Sequence, residues 1–164
     1  MNIDKNTIEQ ALQLLGEILE QRNTPEFVLV VCGGAALIGR GLVHRATHDV
    51  DIVAFINPAT GELCSPAPLP QPLSAASRDV AENLGLEEDW LNNGPSRGEG
   101  GLYQVGLPEG LKERLITRKY GERLTVCFVG RLDQICFKTF AAADQGPGRH
   151  FDDLQRLKPD SLEL

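Results

Sequence analysis

The sequence predicts an α/β fold of the α+β kind, a single domain built on a mixed β-sheet flanked by helices. Three observations carry that expectation. Phe27-Val28-Leu29-Val30-Val31-Cys32 is an unbroken apolar, largely β-branched run, as expected of a strand buried on both faces. The glycine pair Gly33-Gly34 follows at once and opens a short helical segment. A second strand, residues 49–56, then begins with two aspartates one residue apart, Asp49 and Asp51. At 164 residues the chain can bury roughly two-thirds of the surface its unfolded form exposes, enough for one domain.

The other elements follow from periodicity and punctuation. Asn6-Thr7-Ile8-Glu9 reads as a capping box, and Ile8, Ala11, Leu12, Leu15, Ile18 and Leu19 repeat at helical spacing. The polar stretch Gln21-Arg22-Asn23-Thr24-Pro25 stops that helix. Ala35–Arg40 is expected to be helical. Prolines 58, 66, 68, 70 and 72 make residues 57–74 an irregular loop. Residues 75–84 read as a helix, residues 87–92 as a second short one, and residues 94–101 as a glycine-rich loop. Residues 111–116 and 123–129 are expected to pair as strands across Tyr120-Gly121-Glu122. Two C-terminal helices are expected over residues 132–143 and 150–157, and no internal repeat is visible.

The paired aspartates carry the most chemistry. Side chains at i and i+2 of a strand share a face, so Asp49 and Asp51 point together while Val50 and Ile52 turn to the core. Carboxylates about 6–7 Å apart at that spacing suit hard divalent cations, and Mg²⁺ takes one or two of them plus substrate phosphates. Aspartate is disfavoured inside strands, and two on one face repel unless a cation or solvent compensates. Gly33-Gly34 is either a tight strand-to-helix turn or a place where backbone N–H groups meet a triphosphate. It has neither the Rossmann glycine spacing nor the Lys-Ser/Thr of a P-loop. Arg45 is either a surface residue or a phosphate ligand; Thr47 either caps the turn or contacts the nucleotide. His44 and His48 are four apart, but Arg45 stands where a zinc protease helix needs glutamate. Cysteines 32, 64, 127 and 136 have no zinc-like spacing, and Cys32, Cys127 and Cys136 read as buried hydrophobes.

These segments resemble the nucleotidyltransferase-fold superfamily, whose signature is a Gly-Gly or Gly-Ser turn followed by Asp-x-Asp on the next strand. The spacing from Gly33-Gly34 to Arg45-x-Thr47-x-Asp49-Val50-Asp51 is similar to its abortive-infection, toxin-like branch. Gly85-Leu86-Glu87-Glu88-Asp89-Trp90-Leu91-Asn92 and the C-terminal stretch with Lys138 and His150-Phe151-Asp152-Asp153-Leu154 resemble elements of small bacterial members of unknown substrate. The resemblance covers most of residues 27–160. It implies Mg²⁺ held by Asp49 and Asp51 and an NTP substrate bound at Gly33, Gly34, Arg45 and Thr47. It implies further that Lys138 meets the phosphates and Asp153 acts at the acceptor, Asp153 rather than Asp152 fitting the Asp-Leu pattern. On periodicity alone Lys138 lies off its helix's apolar stripe, Leu132-Ile135-Cys136-Thr139, and reads as solvated. The chain departs from many members in having no acid on strand 124–129, which leaves room for an inactive or purely binding module.

Charge bears on the acceptor. A net charge of −7 is unusual for a protein that grips RNA by its backbone, which normally presents a basic patch. The one basic cluster, Lys112, Arg114, Arg118, Lys119 and Arg123, reads either as a solvated strand face or as a local phosphate-contact surface. An RNA end, a protein hydroxyl and a small molecule all remain as acceptors. The toxin-like resemblance adds a separately encoded antitoxin as partner. The N-terminus lacks a secretory pattern and the longest apolar stretch is broken by Gly33-Gly34, so no membrane partner and a cytoplasmic location are expected.

Overall fold

The computed structural model describes residues 3–41, 47–96, 101–145 and 148–160. Arg45 and His44, together with Gly98 and Gly100 of the expected loop, lie outside the described residues. In chain order the elements are α1 (Lys5–Gln21), β1 (Phe27–Cys32), α2 (Gly33–Gly39), β2 (Val50–Ile56), β3 (Leu63–Cys64), α3 (Gln71–Leu84), β4 (Leu91–Asn92), α4 (Leu102–Val105), β5 (Ile116–Lys119), β6 (Leu124–Phe128), α5 (Arg131–Gln145) and α6 (Arg149–Leu157). The strands form one mixed sheet in the order β3-β2-β1-β6-β5, with β4 added beside β2. β1 is parallel to β6 and antiparallel to β2, while β4 is parallel to β2. The α+β expectation of a mixed sheet with flanking helices therefore holds.

Helix α1 starts two residues earlier than the capping-box reading predicts. Asp4 is the N-cap, its carboxylate accepting from the Thr7 N–H at 2.8 Å. That leaves Glu9 free of capping work, and it accepts instead from Arg118 at 2.6 Å and from the Tyr120 hydroxyl at 3.1 Å. The apolar stripe buries Ile8, Ala11, Leu12, Leu15 and Leu19. A Cβ on Gly16 would sit 1.8 Å from the Tyr120 carbonyl oxygen, so this mid-helix glycine lets α1 lie directly on the end of β5.

Burial, with the Glu9 carboxylate second, pushes the Tyr120 phenol from its ordinary 10.0 up to about 12. Folding thus favours the protonated phenol. Its contribution is complete below pH 10.0 and is lost as the pH rises to about 12. Denaturant melts of wild type should show stability falling across that window, and Tyr120→Phe should flatten the fall. An identical alkaline profile in the variant would assign the loss to another group.

Three expected elements differ from what is observed. Helix α3 begins at Gln71, four residues before the expected start, because Pro72 fits the first turn, where its missing N–H leaves no bond unmade. Residues 87–92 are not a helix. Leu91–Asn92 is β4, and the fully buried Trp90 fixes it there, donating its indole N–H to the Ser77 carbonyl at 2.8 Å while its own carbonyl accepts from the Val50 N–H. The strand expected at 111–116 lies at Ile116–Lys119, preceded by a tight turn over Lys112–Arg114. That turn aims the Arg114 fork at Asp133, with bonds of 3.0 and 2.6 Å. The expected basic cluster is largely spent in this way: Lys112 donates to the Gly61 carbonyl, Arg118 to Glu9 and Arg123 to Asn23.

Helix α5 is turned relative to the stripe its sequence suggests. Leu132 and Phe140 are 39% and 49% exposed and Cys136 is exposed, whereas Asp133, Gln134 and Lys138 are buried with Ile135 and Phe137. The inward side is mixed, Ile135 and Phe137 lying with polar residues whose buried charges are paired, Asp133 with Arg114 and Lys138 with Asp153 of α6. No described helix is long and apolar enough to cross a membrane.

Candidate active site

The candidate site lies where β1 ends and β2 begins. β1 runs into the interior on apolar residues and stops at Cys32, which precedes α2 with extended backbone. Gly33 then adopts φ +73°, a left-handed conformation that costs any residue with a Cβ roughly 1–2 kcal/mol. A Cβ built there would stand 2.7 Å from Oδ2 of Asp51, so the turn and the carboxylate are in immediate contact. Of the two glycines, Gly33 is the one this geometry requires. Gly34 is buried in the first turn of α2.

The second strand begins at Val50, one residue later than expected, so Asp51 lies on β2 and Asp49 immediately precedes it. Val50 and Ile52 are fully buried, while Asp49 and Asp51 keep part of their surface in solvent. Asp51 sits between two register partners, Cys32 of β1 and Asn92 of β4. The β1–β2 register shifts by one between Val30 and Val31, and Ser96 donates its hydroxyl to the Val53 carbonyl at 2.8 Å on the bulged strand. Such bulges re-aim strand ends, here the end that carries Asp51. Thr47 is buried, pairs through its backbone with Ile3, and its hydroxyl lies 3.5 Å from the Asp49 carbonyl oxygen.

Cys32 reports on what surrounds it. Burial raises its thiol pKa far above the ordinary value, Asp51 and more weakly Asp49 push the same way, and Lys138 pulls back. Two carboxylates, the thiol and the ammonium therefore share one electrostatic neighbourhood. Lys138 is not solvated as its periodicity suggests. Its side chain is 4% exposed and that of Asp153 is 0% exposed, with Nζ 3.1 Å from Oδ2. Asp152, by contrast, is exposed, which separates the two adjacent aspartates as a helix must.

Asp49 and Asp51 are hard oxygen donors of the type Mg²⁺ takes and would offer them from one short segment, and Gly33 itself puts no side chain against the Asp51 carboxylate. Among the described residues no group of three or more His, Cys, Asp or Glu is placed to hold a metal, so any cation here would complete its shell with substrate and water. β6 carries no acid. The strand residue opposite Asp51 on its outer side is an amide, Asn92, whose Oδ1 accepts from the Gly94 N–H at 2.7 Å. The helix expected over residues 87–92 leaves this neighbour out, because two residues of strand carry no periodicity that would announce it.

Gly33→Ala should lower unfolding free energy by about 1–2 kcal/mol and weaken Mg²⁺ binding, because the new methyl displaces the Asp51 carboxylate. Denaturant titration and calorimetry read the two effects separately, and unchanged values in both would mean the turn relaxes at no cost.

No protein-family model, curated protein or solved structure matches this chain.

Proposed function

We propose that the chain is a Mg²⁺- and NTP-dependent nucleotidyltransferase that moves a nucleoside monophosphate to an acceptor hydroxyl. The observation that carries the reading is the close approach of the left-handed Gly33 to the carboxylate of Asp51, with Asp49 two residues earlier, just before β2. That arrangement pairs a side-chain-free approach for phosphates with two hard ligands for a cation. Bound Mg²⁺ would supply charge neutralisation at the α-phosphate and the pyrophosphate leaving group. The chain's own part is positioning. Asp49 and Asp51 fix the cation, and the Gly33-Gly34 turn admits the triphosphate. Lys138, whose charge acts on Cys32 in opposition to Asp51 and Asp49, would add positive charge to that neighbourhood. Lys138 and Asp153 enter as a positioning pair, since Asp153 has no exposed side-chain surface from which to meet an acceptor. On the toxin-like resemblance, the protein partner would be a separately encoded antitoxin.

A second reading is a nucleotide- or protein-binding module of the same fold without turnover. The acid-free β6 and the enclosure of the Lys138–Asp153 pair favour it. Calorimetry with each common NTP, with and without Mg²⁺, tests the shared premise. Wild type should bind NTP only with the metal, and Asp49→Asn with Asp51→Asn should bind none while keeping its fold. Equal Mg²⁺-NTP affinity in the double variant would remove the metal site from the account.

A further inference from the structure

Among the described residues four large apolar side chains are exposed, and three of them, Leu132, Phe140 and Phe151, lie on α5 and α6. Leu132 and Phe140 stand with the exposed Cys136 at i, i+4 and i+8, a stripe about 12 Å long on one side of α5. Both charged residues between its ends, Asp133 and Lys138, are buried and paired, so over this length the solvent side of α5 carries no charge. A helix that shows solvent Leu, Cys and Phe and no charge has the composition of an interface core.

Helix α6 runs back alongside α5. Arg131 at the start of α5 donates to the Leu157 carbonyl at 2.8 Å, and further along Lys138 meets Asp153. Between those two rungs Cys136 stands about level with Leu154. Asp152 and Arg156, both exposed, bracket Leu154 at equal spacing, as Leu132 and Phe140 bracket Cys136. Apolar stripe and charge pair are thus centred at one height of the helix pair. A twofold axis at that height sets Leu132 against Phe140 of a second copy, and Asp152 against the second copy's Arg156. Charges of one sign at both positions would repel a copy, whereas one of each sign attracts it.

We propose that α5 and α6 form a self-association surface, taken by a second copy of this chain packed antiparallel about a twofold axis at Cys136. Its size sets its strength. Two adjacent helices, each about 10 Å wide and with α5 about 22 Å long, offer a projected face of roughly 450 Å² per chain. Both faces together come to about 900 Å², short of the roughly 1,200–2,000 Å² of stable specific interfaces. The assembly is therefore a reversible dimer that forms at micromolar concentrations or above. None of these exposed side chains belongs to the candidate site, so the pairing is independent of the transfer reading.

Analytical ultracentrifugation of the full chain, from micromolar to hundreds of micromolar, should show the mass rising from one chain to two and no further. Phe140→Glu should weaken that association at least tenfold while melting within a few degrees of wild type, since the ring is half exposed. Asp152→Arg alone should weaken it, and Asp152→Arg with Arg156→Asp should restore it, because exchanging both signs keeps the twofold match. A short bismaleimide should link two wild-type chains through Cys136 and should link none in Cys136→Ser, whose mass should still rise. A single-chain mass at every concentration, growth beyond two chains, a dimer that Phe140→Glu leaves intact, or one that Cys136 does not link would overturn the pairing.

Discussion

Lys138→Met is expected to destabilise the folded chain by about 3–5 kcal/mol, the usual result of stranding one member of a buried ion pair. The Asp153 carboxylate has no exposed surface and its ammonium partner is 3.1 Å away, so removing the ammonium leaves a charge that water cannot reach. Asp153→Leu alone should cost a similar amount by stranding the ammonium. Lys138→Met combined with Asp153→Leu should recover most of the loss, because the two removals couple through one contact. Denaturant unfolding of the single and double variants measures that coupling. Additive losses would show that the pair does not join α5 to α6.

That expectation reverses what periodicity implies for these residues, and the reason is physical. The stripe Leu132-Ile135-Cys136-Thr139 recurs at helical spacing on α5 and a sequence reading turns it inward, but of these Ile135 alone is fully buried and Leu132 and Cys136 are exposed. The helix buries Asp133 and Lys138 beside Ile135 and Phe137, and Arg114 and Asp153 pair with the two charges. Both partners come from elsewhere in the chain, so no local pattern on α5 announces them. The same limit explains β4. Two residues of strand carry no periodicity, and only the Trp90 anchor and pairing with Val50 and Asp51 define them. The strand–turn–strand unit was legible for the opposite reason. Burial of Phe27–Cys32, the glycine turn and the alternation around Asp49 and Asp51 are all local features, and each survives in the fold. Which glycine matters was not legible, since Gly33 is singled out only by its φ and by the Asp51 carboxylate that packs on it.

The largest functional effect is expected at Asp51. Asparagine keeps the volume and the β2 register beside Cys32 and Asn92 but removes the charge that would hold a cation. The cation that Asp51 would hold offsets charge developing on the phosphates, and loss of one such electrostatic stabiliser typically costs roughly 2.7–4 kcal/mol, so Asp51→Asn should lower turnover by about a hundredfold or more. The cost to folding should be small, because Asp51 keeps part of its surface in solvent. Asp152→Ala, on the exposed side of α6, should leave turnover near wild type. Comparable losses from the two variants would point to a general effect on the fold.

The most direct test follows the α-phosphate itself. Wild-type chain is incubated with Mg²⁺ and α-labelled NTP, against total RNA and against a panel of small hydroxyl-bearing molecules, and label transfer and pyrophosphate are measured together. The account predicts stoichiometric release of pyrophosphate with label on an acceptor, dependent on Mg²⁺ and lost in Asp51→Asn. Transfer that persists undiminished in Asp51→Asn, or Mg²⁺-NTP binding with no transfer to any acceptor, would contradict it.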